Sequence, residues 1–127
     1  MTEIKILQEI IATKRKNPYT EDKSIEQLRE ETEISASRIP LPENTKIEKI
    51  VADNVPAEWI SCGNVDTDRI FMFIHGGGYY RGSIASTRST VARISAQANV
   101  KCLSIEYRLA PEHPFPAAIN DIYTVYN

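Results

Sequence analysis

The chain has 127 residues, a formal net charge of -2 and 42% apolar residues. That suits one globular domain with a core of its own, and the near-neutral balance argues against nucleic acid or an anionic membrane as the main partner. Cys62 and Cys102 are neither at a metal-ligand spacing nor part of a disulfide-dense scaffold. They read as buried free thiols, which fits a reducing compartment.

In chain order, "MTEIKILQEI" places Glu3 and Lys5 where a signal peptide would need an unbroken apolar core. A cytoplasmic protein with no stable membrane insertion is expected, since the longest apolar run, Ile70 to Ile74, is too short to span a bilayer. Residues 2–16 predict an amphipathic helix with Ile4, Leu7 and Ile11 on one face, widened by Ile10. Asn17-Pro18 ends it. Lys14, Arg15 and Lys16 read as a solvated helix end. A second helix starts at Ser24, with Gln27 completing a capping box, Ile25 and Leu28 as apolar contacts and "REETE" as the wet side. Pro40 and Pro42 mark a linker, dividing residues 1–42 from residues 43–127.

From Thr45 the period changes. "KIEKIVA" and "VPAEWIS" predict two strands joined by a turn at Asp53-Asn54, and "GNVDTDR" a loop. "IFMFI" predicts a strand buried on both faces, as in a parallel sheet. A helix follows from about Ser86 to Asn99, with Val91, Ile94 and Ala98 on one face, N-capped by Ser83 or Ser86. "VKCLSIEY" is the next strand. "RLAPEHPFP" is a rigid loop, because three prolines in six residues remove donors and fix φ. "AAINDIYTVYN" begins a last helix. The order is a β-hairpin followed by a βαβ unit, hence an α/β fold with a mostly parallel sheet.

Three of the chain's five glycines stand together in "HGGGYYRGS", directly after the "IFMFI" strand. A dinucleotide fingerprint fails on spacing, because Arg81 stands where its third glycine belongs, and a phosphate loop lacks its Gly-Lys-Ser/Thr. A tight turn and an oxyanion hole both remain open. In the second, backbone N–H groups face a developing negative oxygen, and His-Gly-Gly-Gly after a strand is one form of that device.

Together with "EYRLAPEHPFPAAINDIY", residues 106–123, this block resembles the hormone-sensitive-lipase-like family of α/β-hydrolase carboxylesterases. The resemblance covers residues 45–127. It implies the N-terminal part of an α/β-hydrolase domain, with residues 1–42 as cap-like helices over an acyl pocket. It implies Gly77 and Gly78 as oxyanion donors, Gly76 shaping the turn, and His75 supporting the loop by hydrogen bonds rather than acting as base. Tyr79 and Tyr80 are the implied substrate-binding residues, one lining the pocket and the other packing. No metal or organic cofactor is implied, and the partner is a small ester. Arg108 should pair with Asp121 to pin the proline loop, and His113 should be an exposed loop residue.

The family's chemistry needs a G-x-S-x-G elbow, then an acid, then a histidine. None of the serines in these 127 residues meets it; the nearest miss, "WISCG", has Trp59 in place of the first glycine. The expectation is a fragment of a serine carboxylesterase acting on short-chain esters through an acyl-serine intermediate. The fragment would be inactive alone and prone to self-association along an exposed "IFMFI" edge. The alternative is a non-catalytic binding module on a partial α/β-hydrolase scaffold.

Overall fold

The computed structural model describes residues 3–16 and 22–127. Helices α1 (Glu3–Lys16) and α2 (Ile25–Ser37) precede strands β1 (Thr45–Ala52), β2 (Val55–Cys62) and β3 (Asp66–Ile74). Helix α3 (Ile84–Ala98), strand β4 (Val100–Ile105) and helix α4 (Ala117–Tyr126) complete the order. Asn17 and Pro18, expected to end the first helix, lie outside the described residues. Among the described residues no helix is long and apolar enough to cross a membrane.

Asp53 and Asn54, with φ of 46° and 72°, make the two-residue turn that joins β1 to β2 in an antiparallel hairpin. Two left-handed residues twist the chain in the sense the strands need. The sheet order is β1-β2-β4-β3. Strand β2 pairs with β4 antiparallel, and β3 pairs with β4 parallel through the α3 crossover. The sheet is therefore mixed rather than mostly parallel. The hairpin precedes the βαβ unit and joins it in the antiparallel sense, so only one of the pairings is parallel.

Side chains alternate across the sheet. On one face Ile60, Val100 and Cys102 pack against Val91 and Ala92 of α3. On the other, Val55, Ile105 and Tyr107 pack against Ala118 of α4. Both cysteines are free, Cys102 buried and Cys62 half-buried. Helix α3 begins at Ile84, two residues earlier than expected, because Ser83 is its N-cap and Ser86 closes the capping box. Ala98, expected on the buried face, is exposed. Ser95 takes that face instead: its hydroxyl donates to the Val100 carbonyl at 2.7 Å and accepts the Cys62 N–H at 3.0 Å.

Strand β3 departs from expectation in two ways. It starts at Asp66, inside the expected loop, with a register irregularity before Ile70. And "IFMFI" is not buried on both faces: β3 is an edge of the described sheet, as expected for these residues taken alone, and Ile70 and Ile74 are 59% and 47% exposed. In α1 the expected apolar face is present, but Ile4, Leu7, Ile10 and Ile11 are all exposed.

An ion pair with a buried carboxylate ties α3 to the sheet. Glu58 of β2, 5% exposed, accepts from Arg88 at two oxygens, at 2.7 and 2.9 Å. Arg88→Ala would strand that carboxylate in the interior and should lower the unfolding free energy by about 3–5 kcal/mol. Adding Glu58→Gln should recover part of the loss. Urea denaturation measures both; a single-variant loss under about 1 kcal/mol, the size of an exposed pair, would contradict this account.

Candidate active-site loop

The loop of residues 75–82 leaves the C-terminal end of β3 and enters α3. Its root is His75, whose side chain is fully buried. The His75 ring stacks on Tyr107, just beyond β4, with centroids 4.2 Å apart and planes 13° apart. The Tyr107 hydroxyl donates to the His75 carbonyl at 2.6 Å and lies 3.2 Å from His75 Nδ1. Nδ1 is also 2.9 Å from the Gly76 carbonyl. Both surrounding oxygens can accept, so the hydrogen-bond pattern assigns the proton to Nδ1. Nε2 is buried without a partner and faces Glu106 Oε1 at 3.9 Å. Burial favours the neutral ring and pushes the His75 pKa down. Burial likewise pushes Tyr107 up to about 12, and raises Glu106, whose carboxylate accepts the Ile84 N–H at 3.2 Å.

The direction of two loop amides follows from their neighbours. In a planar trans peptide, the carbonyl and the following N–H point opposite ways. The Gly76 carbonyl is held by His75 Nδ1, which turns the Gly77 N–H outward. The Gly77 carbonyl accepts from the N–H groups of Tyr80 and Arg81, at 3.3 and 3.2 Å, which turns the Gly78 N–H outward. Among the described residues, no acceptor takes the N–H of Gly77 or Gly78. The loop thus presents two successive backbone donors with no acceptor among the described residues.

Glycine is demanded at particular places. Gly77 has φ of 133°, and a Cβ there would lie 2.0 Å from the Arg81 carbonyl oxygen. Gly82, at φ 90°, would put a Cβ 2.5 Å from the Gly76 oxygen and 2.8 Å from His75 Nδ1. Gly76, expected to shape the turn, has no positive φ, and a Cβ added there would meet no atom within 4 Å. Its contribution is its carbonyl, and the close approach is made at Gly82.

The two tyrosines separate. Tyr79, in the left-handed region at φ 65°, lines a cleft of about 380 Å³ with Arg108, Phe115, Pro116 and Ile119. Its carbonyl accepts the Ala110 N–H at 2.8 Å, stitching the glycine loop to the proline loop. Tyr80 is half-buried, lies under the Arg81 guanidinium at 5.5 Å, and does not line that cleft.

The proline loop is pinned as expected. Arg108 donates to Asp121 from Nε, from Nη2 and from its backbone N–H, at 2.8–3.1 Å. Burial alone would raise the Asp121 pKa; the Arg108 hydrogen bonds outweigh it and lower it. Asp121 is buried while Arg108 is half-exposed, so the carboxylate is the interior member. His113 is exposed. Glu112, on the same loop, pairs with Arg29 of α2.

Arg29 and Glu33 are what the sequence reading missed. Both belong to "REETE", read as the wet side of α2, yet both face the loop: Arg29 reaches the Tyr80 carbonyl, and Glu33 accepts from the Ser83 hydroxyl at 2.7 Å. The signal was available, because they follow Ile25 by four and eight residues and so share its stripe. The serines nearest the loop are occupied as caps. Among the described residues no three His, Cys, Asp or Glu side chains are placed to share a metal ion.

Comparison with known proteins places the chain beside α/β-hydrolase esterases. A family described as alpha/beta hydrolase fold matches residues 71–127. A carboxylic ester hydrolase of Mycobacterium tuberculosis, LipN, is 37% identical over 76 residues, covering 59% of this chain. The crystal structure of an esterase from the bacterial hormone-sensitive lipase family superposes over 99% of the chain with a TM-score of 0.84 and 33% identity. That of the esterase EstE5, soaked with p-nitrophenyl butyrate, superposes over 99% with a TM-score of 0.85 and 34% identity. The chain spans 20% of LipN and 42% of each of these two structures.

The geometry makes the glycines unequal. Gly82→Ala meets both a positive φ and two close atoms, and should lower the unfolding free energy by about 2 kcal/mol or more. Gly76→Ala should stay within about 0.5 kcal/mol of wild type. Chemical denaturation of the two variants side by side checks this; equal losses would contradict the assignment.

Proposed function

The chain belongs to the hormone-sensitive-lipase-like family of α/β hydrolases, and from that premise we propose that it supplies the oxyanion loop of a serine carboxylesterase. The observation that carries the reading is the pair of outward, unpaired N–H groups at Gly77 and Gly78, each fixed by the carbonyl on its own peptide. When a nucleophile adds to an ester carbonyl, its oxygen gains negative charge that the two amides would accept. Preformed donors cost no reorganisation at that moment, and each is worth on the order of 100-fold in kcat.

None of the serines among these 127 residues stands in a G-x-S-x-G elbow, so the nucleophile, its acid and its base would come from residues other than these. Helices α1 and α2 would form part of the cap, with Tyr79 lining the acyl or alcohol side of the pocket and Tyr80 packing behind the loop. The modest cleft beside Tyr79 favours short-chain esters. The free thiols Cys62 and Cys102 favour the cytoplasm as the compartment.

The test is to read the coding sequence past Asn127, express the whole product, and assay p-nitrophenyl butyrate. The reading expects a G-x-S-x-G elbow and hydrolysis. In that product Gly77→Ala, which cannot fit its Cβ against Arg81, should lower kcat on the order of 100-fold with KM little changed. An elbow-free, inactive product would leave the non-catalytic binding module in its place.

The 127 residues alone should self-associate, because β3 offers unpaired backbone and the exposed Ile70, Phe71 and Ile74 at a sheet edge. Light scattering coupled to gel filtration decides this; a monodisperse monomer would contradict it.

A further inference from the structure

Helix α2 meets the glycine loop through one side chain with an unusual number of partners. Arg29 Nε donates to the Tyr80 carbonyl at 2.6 Å, and Nη2 to the Ala110 carbonyl at 2.9 Å. Nη1 and Nη2 donate to the two oxygens of Glu112, each at 2.8 Å. One planar guanidinium therefore joins three segments: α2, the glycine loop and the proline loop. One turn later on α2, Glu33 accepts from Ser83, so the helix grips the glycine loop on both sides of Gly82.

The consequence runs along the backbone. Tyr80 carbonyl and Arg81 N–H belong to one planar peptide and point opposite ways. Arg29 pulls the carbonyl towards α2, which aims the Arg81 N–H at the Gly77 carbonyl. The Gly77 carbonyl in turn sets the Gly78 N–H. We propose that Arg29 is a positioning residue for the oxyanion loop: docking of α2 through its guanidinium fork sets the direction of the Gly78 donor. This rests on the reading of Gly77 and Gly78 as oxyanion donors, and adds that the loop is completed by helix α2 and not by the sheet alone.

The fork geometry matters more than the charge. A lysine at position 29 has one nitrogen and cannot reach two carbonyls and a bidentate carboxylate together. The clamp is also robust to pH. Hydrogen bonds from Arg29 hold Glu112 down at about 2. A depressed carboxylate stabilises the folded state above its unfolded value and loses that contribution only as pH falls through the folded one. The clamp therefore stays charged at any pH at which an ester is assayed.

The experiment is amide hydrogen exchange followed by NMR on the whole gene product and its Arg29→Lys and Arg29→Ala variants. The reporters are the N–H groups of Arg81 and Ala110, which donate to Gly77 and Tyr79. Arg29→Lys, which keeps the charge and much of the stem, should speed their exchange at least fivefold, and Arg29→Ala at least tenfold, while amides of the β2–β4 ladder stay unchanged. Wild-type exchange at both reporters in Arg29→Lys would overturn the proposal, even if Arg29→Ala failed to fold. Because no ester is needed, this outcome is independent of whether the protein hydrolyses one. In a hydrolytically active product, both variants should lower kcat with KM within twofold; an effect on KM alone would equally overturn it.

Discussion

The structure depends on a constraint of the peptide bond itself. A trans peptide points its carbonyl and its following N–H in opposite directions, so holding a carbonyl inward presents the next amide outward. The loop uses this twice in succession, with His75 Nδ1 holding Gly76 and the Tyr80 and Arg81 amides holding Gly77. Neither donor needs a partner of its own to be fixed. That is why two amides can be rigid and unoccupied together, the condition that makes backbone donors effective against a developing charge.

The arrangement carries strain, and the surroundings offset it. Gly77, Gly78 and Tyr79 all have positive φ, and for a tyrosine the left-handed region costs about 1–2 kcal/mol. The Ala110 hydrogen bond to the Tyr79 carbonyl, the edge contact of Tyr79 with Tyr107 and the Arg29 clamp all bear on that segment. At the root, the stack of a neutral His75 on Tyr107 joins the ends of β3 and β4. Gly82 brings the loop's exit back against its entrance, leaving no room for a methyl group. The loop is thus closed by backbone contact and buttressed from the sheet, the proline loop and α2.

How much of this was legible in the sequence depends on the range of the interaction. Local signals were reliable: the capping box at Ser24, the Asp53-Asn54 turn and the Arg108–Asp121 pair lie within a few residues or one short loop. The glycine block was recognisable because its residue types are rare together. Two kinds of feature were not legible. The apolar run of β3 misleads when read alone as burial on both faces, because it reports what a strand can pack against; the exposed edge followed only from the neighbour these residues lack. The roles of Arg29 and Glu33 were hidden because a charged pair on a helix reads as solvated unless its stripe is compared with the apolar one. Their partners lie about fifty and eighty residues away in sequence.

The central claim is that Gly77 and Gly78 receive an oxyanion. It is tested most directly by a crystal structure of the whole gene product after reaction with a p-nitrophenyl alkylphosphonate, whose phosphoryl oxygen stands in for the charged oxygen of the tetrahedral intermediate. The account expects that oxygen at roughly 2.7–3.1 Å from both glycine nitrogens, with the His75–Gly76 and Tyr80–Gly77 hydrogen bonds unchanged. A phosphoryl oxygen held elsewhere, or glycine amides turned inward onto protein acceptors, would contradict it.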